Sequence, residues 1–356
     1  MHNGGILIIL ITIGDTMFKL SSLFATSILA FTSFNAVADE VNIYTTREPG
    51  LIQPLLDEFT KDTGIKANTV FVKDGLTERV SSEGANSPAD ILMTVDIGRL
   101  LDVVDAGLTQ EIVSPALEEH VPEAFKDPNK HWYALSLRDR IVYVSTELDL
   151  EELTYEDLAD PKYQGKLCSR SGQHPYNTSL IAAKIAHDGI ESAEEWLRGV
   201  KSNLARKAAG GDREGARDIL AGICDLAIGN AYYVGRMKNA EPGSDQYQWG
   251  EAIKVIRPTF ENSKSNGTHA NITGAAIAKN APNLDNALKL LDFLISEKGQ
   301  SMYAKSNYEY PVRSGVELDP VVASFGELVI DDLHILDIAK YRQEASELAD
   351  KVGYDQ

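Results

Sequence analysis

Apolar residues in the first third of the chain follow two alternating periods, which predict strands followed by helices. Residues 41–44 form a short strand-like run, and residues 51–63 carry apolar side chains at helical spacing up to Gly64. The pattern repeats, with strands predicted at 65–72 and 89–95 and helices at 76–83 and 97–106. Strands that alternate with helices are typical of an α/β domain with a largely parallel sheet.

A long apolar run over 132–144 is interrupted only by Arg138, Asp139 and Arg140, and we interpret it as a strand that leaves the first domain. The α/β pattern then resumes. Strands are predicted at 167–169, 224–228, 255–260 and 270–278, and helices at 179–187, 193–201, 287–294 and over the charged C-terminal stretch. Because no Pro- or Gly-rich linker separates the two domains, we expect the chain to cross between them. A ligand would then lie between the domains, at the carboxyl ends of the strands.

The N-terminal region has the pattern of a secretory signal. A basic segment at Met17–Lys19 precedes an apolar stretch over 20–34, and Ala36 and Ala38 form a small-residue cleavage site. We take residues 1–38 as the signal region, with Met17 as the start and cleavage after Ala38. Since no later segment is long and apolar enough to span a membrane, we expect an exported, soluble protein without membrane insertion.

The net charge limits the partners that the protein could bind, and the two cysteines favour a disulfide. A formal net charge of −19 argues against binding to nucleic acid or to anionic membrane surfaces. Cys168 and Cys224 both follow the predicted cleavage site, and an even number of cysteines in an exported chain favours a disulfide. A pair of free buried thiols is the alternative. A bridge would tie the segment before Tyr176 to the segment before Tyr232.

Tyr232 and Tyr233 are adjacent and follow a predicted strand, where two neighbouring side chains can converge. Two phenols at the mouth of a cleft make a hard oxygen site. Because a free phenol loses its proton only near pH ~10, phenolate at neutral pH requires a highly charged cation such as Fe(III). The alternative is a packed aromatic pair without chemistry.

Other polar side chains lie at the ends of predicted strands or, for Arg138 and Arg140, in the predicted crossover strand. They are Arg47, Glu48, Asp96, Arg138, Arg140 and the loop 169–177, which contains His174 and Tyr176. Three phenols with carboxylates and arginines outline a site for a metal ion together with an anion. The sequence contains no HExxH, GxSxG, CxxC or P-loop motif, so we do not expect an enzyme.

Several short segments together resemble one known family, the periplasmic ferric-iron-binding proteins of ABC transporters. They are 87–91 (SPADI), 94–100 (TVDIGRL), 135–140 (LSLRDR), 168–172 (CSRSG), 175–177 (PYN), 229–233 (GNAYY) and 309–312 (EYPV). The resemblance covers essentially all of 39–356. It implies a two-lobed α/β fold of the type II periplasmic binding protein class. Each lobe would be a mixed, mainly parallel sheet flanked by helices, and crossover strands would form the hinge. We expect lobe 1 at 39–138 plus 266–307, and lobe 2 at 139–265 plus 308–356.

The same resemblance implies the site. Tyr176, Tyr232 and Tyr233 match ligating tyrosines of the family. Glu48 occupies a position where many members have a histidine, and it either ligates or is silent; Asp96 lies near an occasional carboxylate ligand. Arg138, or failing it Arg140, would hold a synergistic anion such as carbonate, and the spare arginine would form a structural salt bridge. The remaining expected site residues are Arg47, Asn177 and Asn230.

By resemblance, the chain would be a monomeric periplasmic protein that carries Fe(III) to an inner-membrane ABC permease and its ATPase. Two other functions stay open at this stage. The same fold could bind a phosphonate, polyamine or sugar phosphate without metal, or the chain could be an exported enzyme. The absence of a general base with partners counts against the enzyme.

Overall fold

The structure, a computed structural model, describes residues 39–356, and the signal region predicted over 1–38 lies outside them. The strands are β1 (Glu40–Thr45), β2 (Lys66–Phe71), β3 (Ile91–Thr94), β4 (Thr109–Gln110), β5 (Tyr133–Ser145), β6 (Leu167–Cys168), β7 (Leu226–Asn230), β8 (Ile253–Ile256), β9 (Ala270–Ala278) and β10 (Tyr310–Pro311). The helices are α1 (Pro49–Thr63), α2 (Leu76–Glu83), α3 (Ile97–Asp105), α4 (Pro115–His120), α5 (Pro175–Ser202), α6 (Asp212–Leu220), α7 (Ala231–Lys238), α8 (Asp245–Glu251), α9 (Leu284–Ile295), α10 (Glu297–Ser306), α11 (Pro320–Ala323), α12 (Ile335–Ala339) and α13 (Arg342–Lys351).

Strand β5 belongs to two sheets. Its first part pairs with β9 as far as Asp139, which lies opposite Ala270. From Arg140 onward it pairs with β7, where Arg140 lies opposite Asn230, and its last residues also pair with β8. The strands therefore follow the order β2-β1-β3-β9-β5-β7-β6, and the predicted crossover strand is confirmed.

The sheets are mixed, as expected, but parallel pairing is confined to their outer parts. Strands β2, β1 and β3 are parallel to one another, and so are β6 and β7. The central strands β5 and β9 are antiparallel to each of their neighbours. Parallel strands need a crossover connection, and α1 and α2 supply these connections between the parallel strands at the N-terminal edge.

Two main apolar cores lie on the two sheets. The first contains Ile43, Leu92 and Leu290, and the second contains Val142, Ile181 and Leu348. A smaller cluster on the other face of the second sheet contains Tyr143 and both cysteines. The side chains of Tyr310, Val312 and Val322 pack in the first core, although we expected 308–356 in the second lobe. The lobe boundaries themselves stay a prediction.

The ends of two helices can be compared with the sequence prediction. Helix α1 ends at Gly64, as predicted, because Gly64 adopts the left-handed conformation (φ 76°) and its N–H donates to Thr60 O. Helix α5 unites the two helices predicted at 179–187 and 193–201, with a kink at Gly189 (φ 80°). It begins earlier than predicted, at Pro175, where the His174 side chain caps it. Within 39–356, no helix has the length and apolar character that crossing a membrane requires.

Candidate metal centre

A cavity of about 460 Å³ opens where β1, β3, β6 and β7 end at their carboxyl termini. Among the predicted site residues, seven line it: Arg47, Glu48, Asp96, Arg138, Tyr176, Tyr232 and Tyr233. The other three, Arg140, Asn177 and Asn230, are buried and do not line it. The predicted position at the ends of the strands is thus where the structure brings most of these side chains together.

The three tyrosines lie at the starts of two helices. Tyr232 and Tyr233 are in the first turn of α7, directly after β7, and their ring centroids are 4.1 Å apart. They are therefore a packed aromatic pair and part of the cavity wall at once. Tyr176 is in the first turn of α5. Because the N-terminus of a helix carries a partial positive charge, both helices favour negative charge on the phenol side of the cavity.

Tyr176 is surrounded by guanidinium groups. Arg138 Nη1 donates to the Tyr176 hydroxyl at 2.8 Å. The Cζ atoms of Arg138, Arg170 and Arg140 lie 4.9, 5.1 and 5.9 Å from the centroid of the Tyr176 ring. We call Arg170, Tyr176, Tyr232 and Tyr233 the phenol face of the cavity.

Arg140 has a different environment, although it is only two residues beyond Arg138. Its Nη1 donates to Asp212 Oδ2 at 2.7 Å and to Asn230 Oδ1 at 2.9 Å, and its Nη2 donates to Asn177 Oδ1 at 2.6 Å. The Asn177 side chain in turn donates to the carbonyls of Arg170 and Ser171. Arg140 is thus the arginine of the pair that forms a structural salt bridge.

Another part of the cavity wall carries charged side chains, of which Arg47, Asp74, Asp96 and Arg99 are already partnered. Arg47 is buried and donates to Glu309 Oε1 at 2.7 Å and to Thr273 Oγ1 at 2.8 Å. Asp96 caps α3, accepting from the Arg99 N–H at 2.9 Å and from Asn271 Nδ2 at 2.7 Å. Glu48 is exposed and its side chain does not cap α1. We call this wall the charged face; its members are Arg47, Glu48, Lys73, Asp74, Asp96 and Arg99.

Residues 86–324 match the family model described as bacterial extracellular solute-binding protein. The chain belongs to this family. Iron uptake protein A1 from Synechocystis sp. is 39% identical over 318 residues, which cover 88% of this chain and 87% of that protein. The solved structure of a Bordetella ferric binding protein has 65% sequence identity and a TM-score of 0.82, covering 89% of this chain and 100% of its own. A Trichodesmium structure in complex with iron and citrate ligands has 37% identity and a TM-score of 0.81, covering 88% of this chain and 99% of its own.

These relatives confirm two expectations drawn from the sequence. The resemblance to ferric-iron-binding proteins and the two-lobed periplasmic binding protein fold are both confirmed. The relatives are solute-binding and uptake proteins rather than enzymes, which agrees with the expectation that the chain is not an enzyme.

The disulfide of this solute-binding protein joins the two tyrosine-bearing segments. Cys168 and Cys224 are bridged, with Cα atoms 5.9 Å apart. Cys168 ends β6, ahead of the loop to Tyr176, and Cys224 lies in the turn before β7, ahead of Tyr232. The predicted bridge is confirmed, and the alternative of two free thiols is excluded.

Burial keeps the hydroxyls of Tyr232 and Tyr233 protonated. Burial, together with the neighbouring phenols Tyr176 and Tyr233, raises the pKa of Tyr232 well above its ordinary value. Burial, with Tyr176 and Asp212 nearby, raises the pKa of Tyr233 to about 12. Burial and the charge of Arg170 lower the pKa of the His174 imidazole to about 3. Without a cation the solute-binding protein therefore keeps these tyrosines protonated at neutral pH.

The donor set of the cavity depends on its phenols. In the part of the chain that the structure describes, no group of three or more His, Cys, Asp or Glu side chains could hold a metal ion. The three tyrosine oxygens that line the cavity are hard donors, which suit a hard cation.

Two buried carboxylates of the site were not predicted as site residues, although Glu309 lies in 309–312, one of the segments that carry the family resemblance. Asp212 accepts hydrogen bonds from Arg140 and Arg170, and Glu309 binds Arg47. Burial raises the Asp212 pKa, but Arg140 and Arg170 outweigh it and hold that pKa below the ordinary value. Neither residue follows a predicted strand, so the signal used for the other candidates did not mark them.

Proposed function

We propose that this protein captures Fe(III) in the cavity through the phenolate oxygens of Tyr176, Tyr232 and Tyr233. The observation that carries the proposal is the convergence of three phenols on one cavity, with Arg138 bound to Tyr176. The names of its relatives, an iron uptake protein and a ferric binding protein, support the same cargo.

The chemistry of the donors matches this ion. Three phenolates carry the charge that neutralises Fe(III), so the loaded cluster would bear little net charge in a partly buried place. Each phenol gives up its proton when it binds the metal, so loading is coupled to proton release. The two helix N-termini stabilise the resulting negative charge.

We further propose that an anion such as carbonate completes the coordination, held by Arg138, whose planar guanidinium suits a bidentate partner. The Trichodesmium relative with iron and citrate supports a shell assisted by an anion. Glu48, exposed on the charged face, is the protein ligand that could replace it. Arg47, Asp96, Asn177 and Asn230 would support the site without touching the metal, since their hydrogen bonds go to protein partners.

In the proposed cycle the protein acts as a monomer in the periplasm, after removal of the signal region 1–38. It closes around the ion by a hinge motion of its two lobes and delivers the ion to an inner-membrane ABC permease with its ATPase. The change of partner along β5 between Asp139 and Arg140 supports a lobe boundary at that point.

The visible spectrum tests this function. Ferric citrate added to the purified apoprotein at neutral pH should give an orange-red phenolate-to-iron charge-transfer band that survives dialysis. Tyr233→Phe should bleach it, whereas Tyr341→Phe, a change at an exposed tyrosine outside the cavity, should leave it unchanged. A colourless wild-type protein without iron after dialysis would contradict the proposal.

One observation favours a second candidate, an anionic small molecule bound without metal. Four arginines line the cavity: Arg47, Arg99, Arg138 and Arg170. Calorimetric titration of metal-free protein with a phosphonate and with a sugar phosphate separates the two functions. We expect no heat of binding in the absence of iron, and tight binding of either compound to colourless protein would favour this alternative.

A further inference from the structure

The segments that carry Tyr176 and the pair Tyr232–Tyr233 are distant in the chain. The buried carboxylate of Asp212 binds residues that contact or adjoin both segments. Asp212 has a fully buried side chain and does not line the cavity. It accepts from Arg140 Nη1 at 2.7 Å, from Arg170 Nη1 at 3.2 Å and from the Asn230 N–H at 3.1 Å.

Each of these three partners is connected to a cavity tyrosine, either through the backbone or through a side-chain contact. Asn230 ends β7, immediately before helix α7, whose first turn carries Tyr232 and Tyr233. Arg140 also binds the side chain of Asn177, the neighbour of Tyr176. Arg170 reaches Tyr176 directly, with its guanidinium carbon 5.1 Å from the ring centroid. A single carboxylate thus connects both tyrosine-bearing segments.

We infer that Asp212 is a positioning residue of the metal site, which sets the placement of Tyr176 relative to Tyr232 and Tyr233. The inference rests on the proposed function, because it concerns how the same three phenols are held. Asp212 touches neither the cavity nor the cargo, so it acts through Arg140, Arg170 and the Asn230 backbone.

The backbone holds Asp212 in place for this role. It is the first residue of α6, where the helix N-terminus favours a carboxylate. Gly210, two residues before Asp212, adopts a positive φ of 76°, which side chains rarely allow, so the turn into α6 has a specific shape. Replacing the carboxylate by an amide would leave Arg140 and Arg170 without their shared counter-ion, and both would be free to move.

The same helix offers a matched control. Asp218 is also in α6, has a side chain only 1% exposed, and pairs with two arginines, Arg206 and Arg217. Neither arginine lines the cavity. The two carboxylates therefore share helix, burial and partner type, and they differ in whether their partners reach the tyrosines.

The experiment compares Asp212→Asn with Asp218→Asn in the iron-loaded full chain. Three quantities are measured: the thermal midpoint, the position of the charge-transfer band, and the rate of iron loss to excess EDTA. Both variants should have lower thermal midpoints. Only Asp212→Asn should also shift the band and bind iron more weakly, by about 10- to 100-fold, which is typical for loss of a residue that orients metal ligands.

Conservative variants keep the test decisive if Asp212→Asn does not fold. Asp212→Glu retains the charge but displaces it by one methylene, and Asp218→Glu is its control. A band shift and faster iron loss are expected for Asp212→Glu alone, smaller than for the amide. Identical spectra and rates in the two members of either pair would overturn the inference.

The possible outcomes also distinguish the positioning role of Asp212 from the proposed capture of iron. A coloured wild-type protein with an unaffected Asp212→Asn variant would refute the positioning role and leave iron capture standing. A colourless wild-type protein would refute iron capture, and the inference with it.

Discussion

The two faces of the cavity differ in how their polar groups are satisfied. On the charged face, Arg47 and Asp96 use their hydrogen bonds on protein partners such as Glu309 and Asn271. On the phenol face, Tyr232 and Tyr233 pack together in a preformed pair above a buried network. If iron binds as proposed, the groups that would hold it lie on the phenol face, where the hydroxyls of Tyr176, Tyr232 and Tyr233 converge. The buried charges of the other face, Arg47 and Asp96, instead hold neighbouring elements together.

Removal of one phenol is the strongest way to break this asymmetry. Tyr232→Phe keeps the ring packing but removes an oxygen donor, so iron affinity should fall by more than about 100-fold, the upper range for residues that merely support ligands. Competition with a chelator measures the loss. The change Thr46→Val, at a cavity-lining residue next to Arg47 of the charged face, should have a far smaller effect, and equal losses would contradict the asymmetry.

Acid should be the next most effective perturbation. Tyr232 and Tyr233 are protonated in the apoprotein, since burial raises the pKa of Tyr232 well above its ordinary value and that of Tyr233 to about 12, so protons compete with iron. Affinity should fall by about tenfold per pH unit for each proton released on binding. Competition titrations at several pH values, corrected for protonation of the chelator, give the proton count, and a pH-independent affinity would exclude phenolate ligation.

The same raised pKa has an opposite consequence for the apoprotein at high pH. The pKa of Tyr233 is higher in the folded chain than in the unfolded chain, where it is near ~10. Its contribution to stability is therefore fully present below pH ~10 and is lost as the pH rises through about 12. Denaturant unfolding between pH 8 and 12 checks the sign; increasing stability over this range would contradict it.

The bond between Arg138 and Tyr176 sharpens the comparison at the boundary of the two faces. Arg138→Gln should weaken iron binding by about 10- to 100-fold and remove any dependence on added carbonate. Affinity should be measured with and without bicarbonate. Arg206→Gln, which breaks the ion pair with the remote Asp218, serves as the control and should keep both the affinity and the bicarbonate effect.

The smallest effect on iron should come from the charged face. Glu48→Gln should reduce affinity by less than about tenfold, because an exposed charge contributes little and an anion can fill the coordination position. A loss as large as that of Tyr232→Phe would instead identify Glu48 as a full ligand.

Much of this site was predictable because its residues follow predicted strands. Arg47, Asp96 and Tyr232 each come shortly after the end of a buried strand, and strand ends meet at one edge of a sheet. The start of α5 was harder to predict, since Pro175 and the His174 cap lie in a segment rich in turn formers. The ion pair between Asp212 and Arg140 was harder still to predict. Nothing in the local pattern connects Asp212 to Arg140, because that contact depends on how α6 packs against the sheet.

The two arginines of β5 were predicted as alternatives for one task, and the fold separates them. Their spacing places both side chains on the same side of the strand, yet Arg138 reaches the cavity and Arg140 does not. The deciding factor is the change of pairing between Asp139 and Arg140. Sequence periodicity carries no information about which neighbour a strand has at each residue.

If the lobes move as proposed, the length of the Arg138–Tyr176 hydrogen bond would change with that movement, because the change of pairing lies between the segments that carry the two residues. Arg138 is anchored to β9, and its Nη2 also donates to Ile272 O, whereas Tyr176 belongs to the helix packed on the second core. Arg140 and Asp212 both lie on the far side of the switch. A rotation about this point would stretch the first contact and leave the second intact. A spectroscopic probe of the Tyr176 hydroxyl would therefore report the proposed lobe rotation through the loss of its hydrogen bond from Arg138.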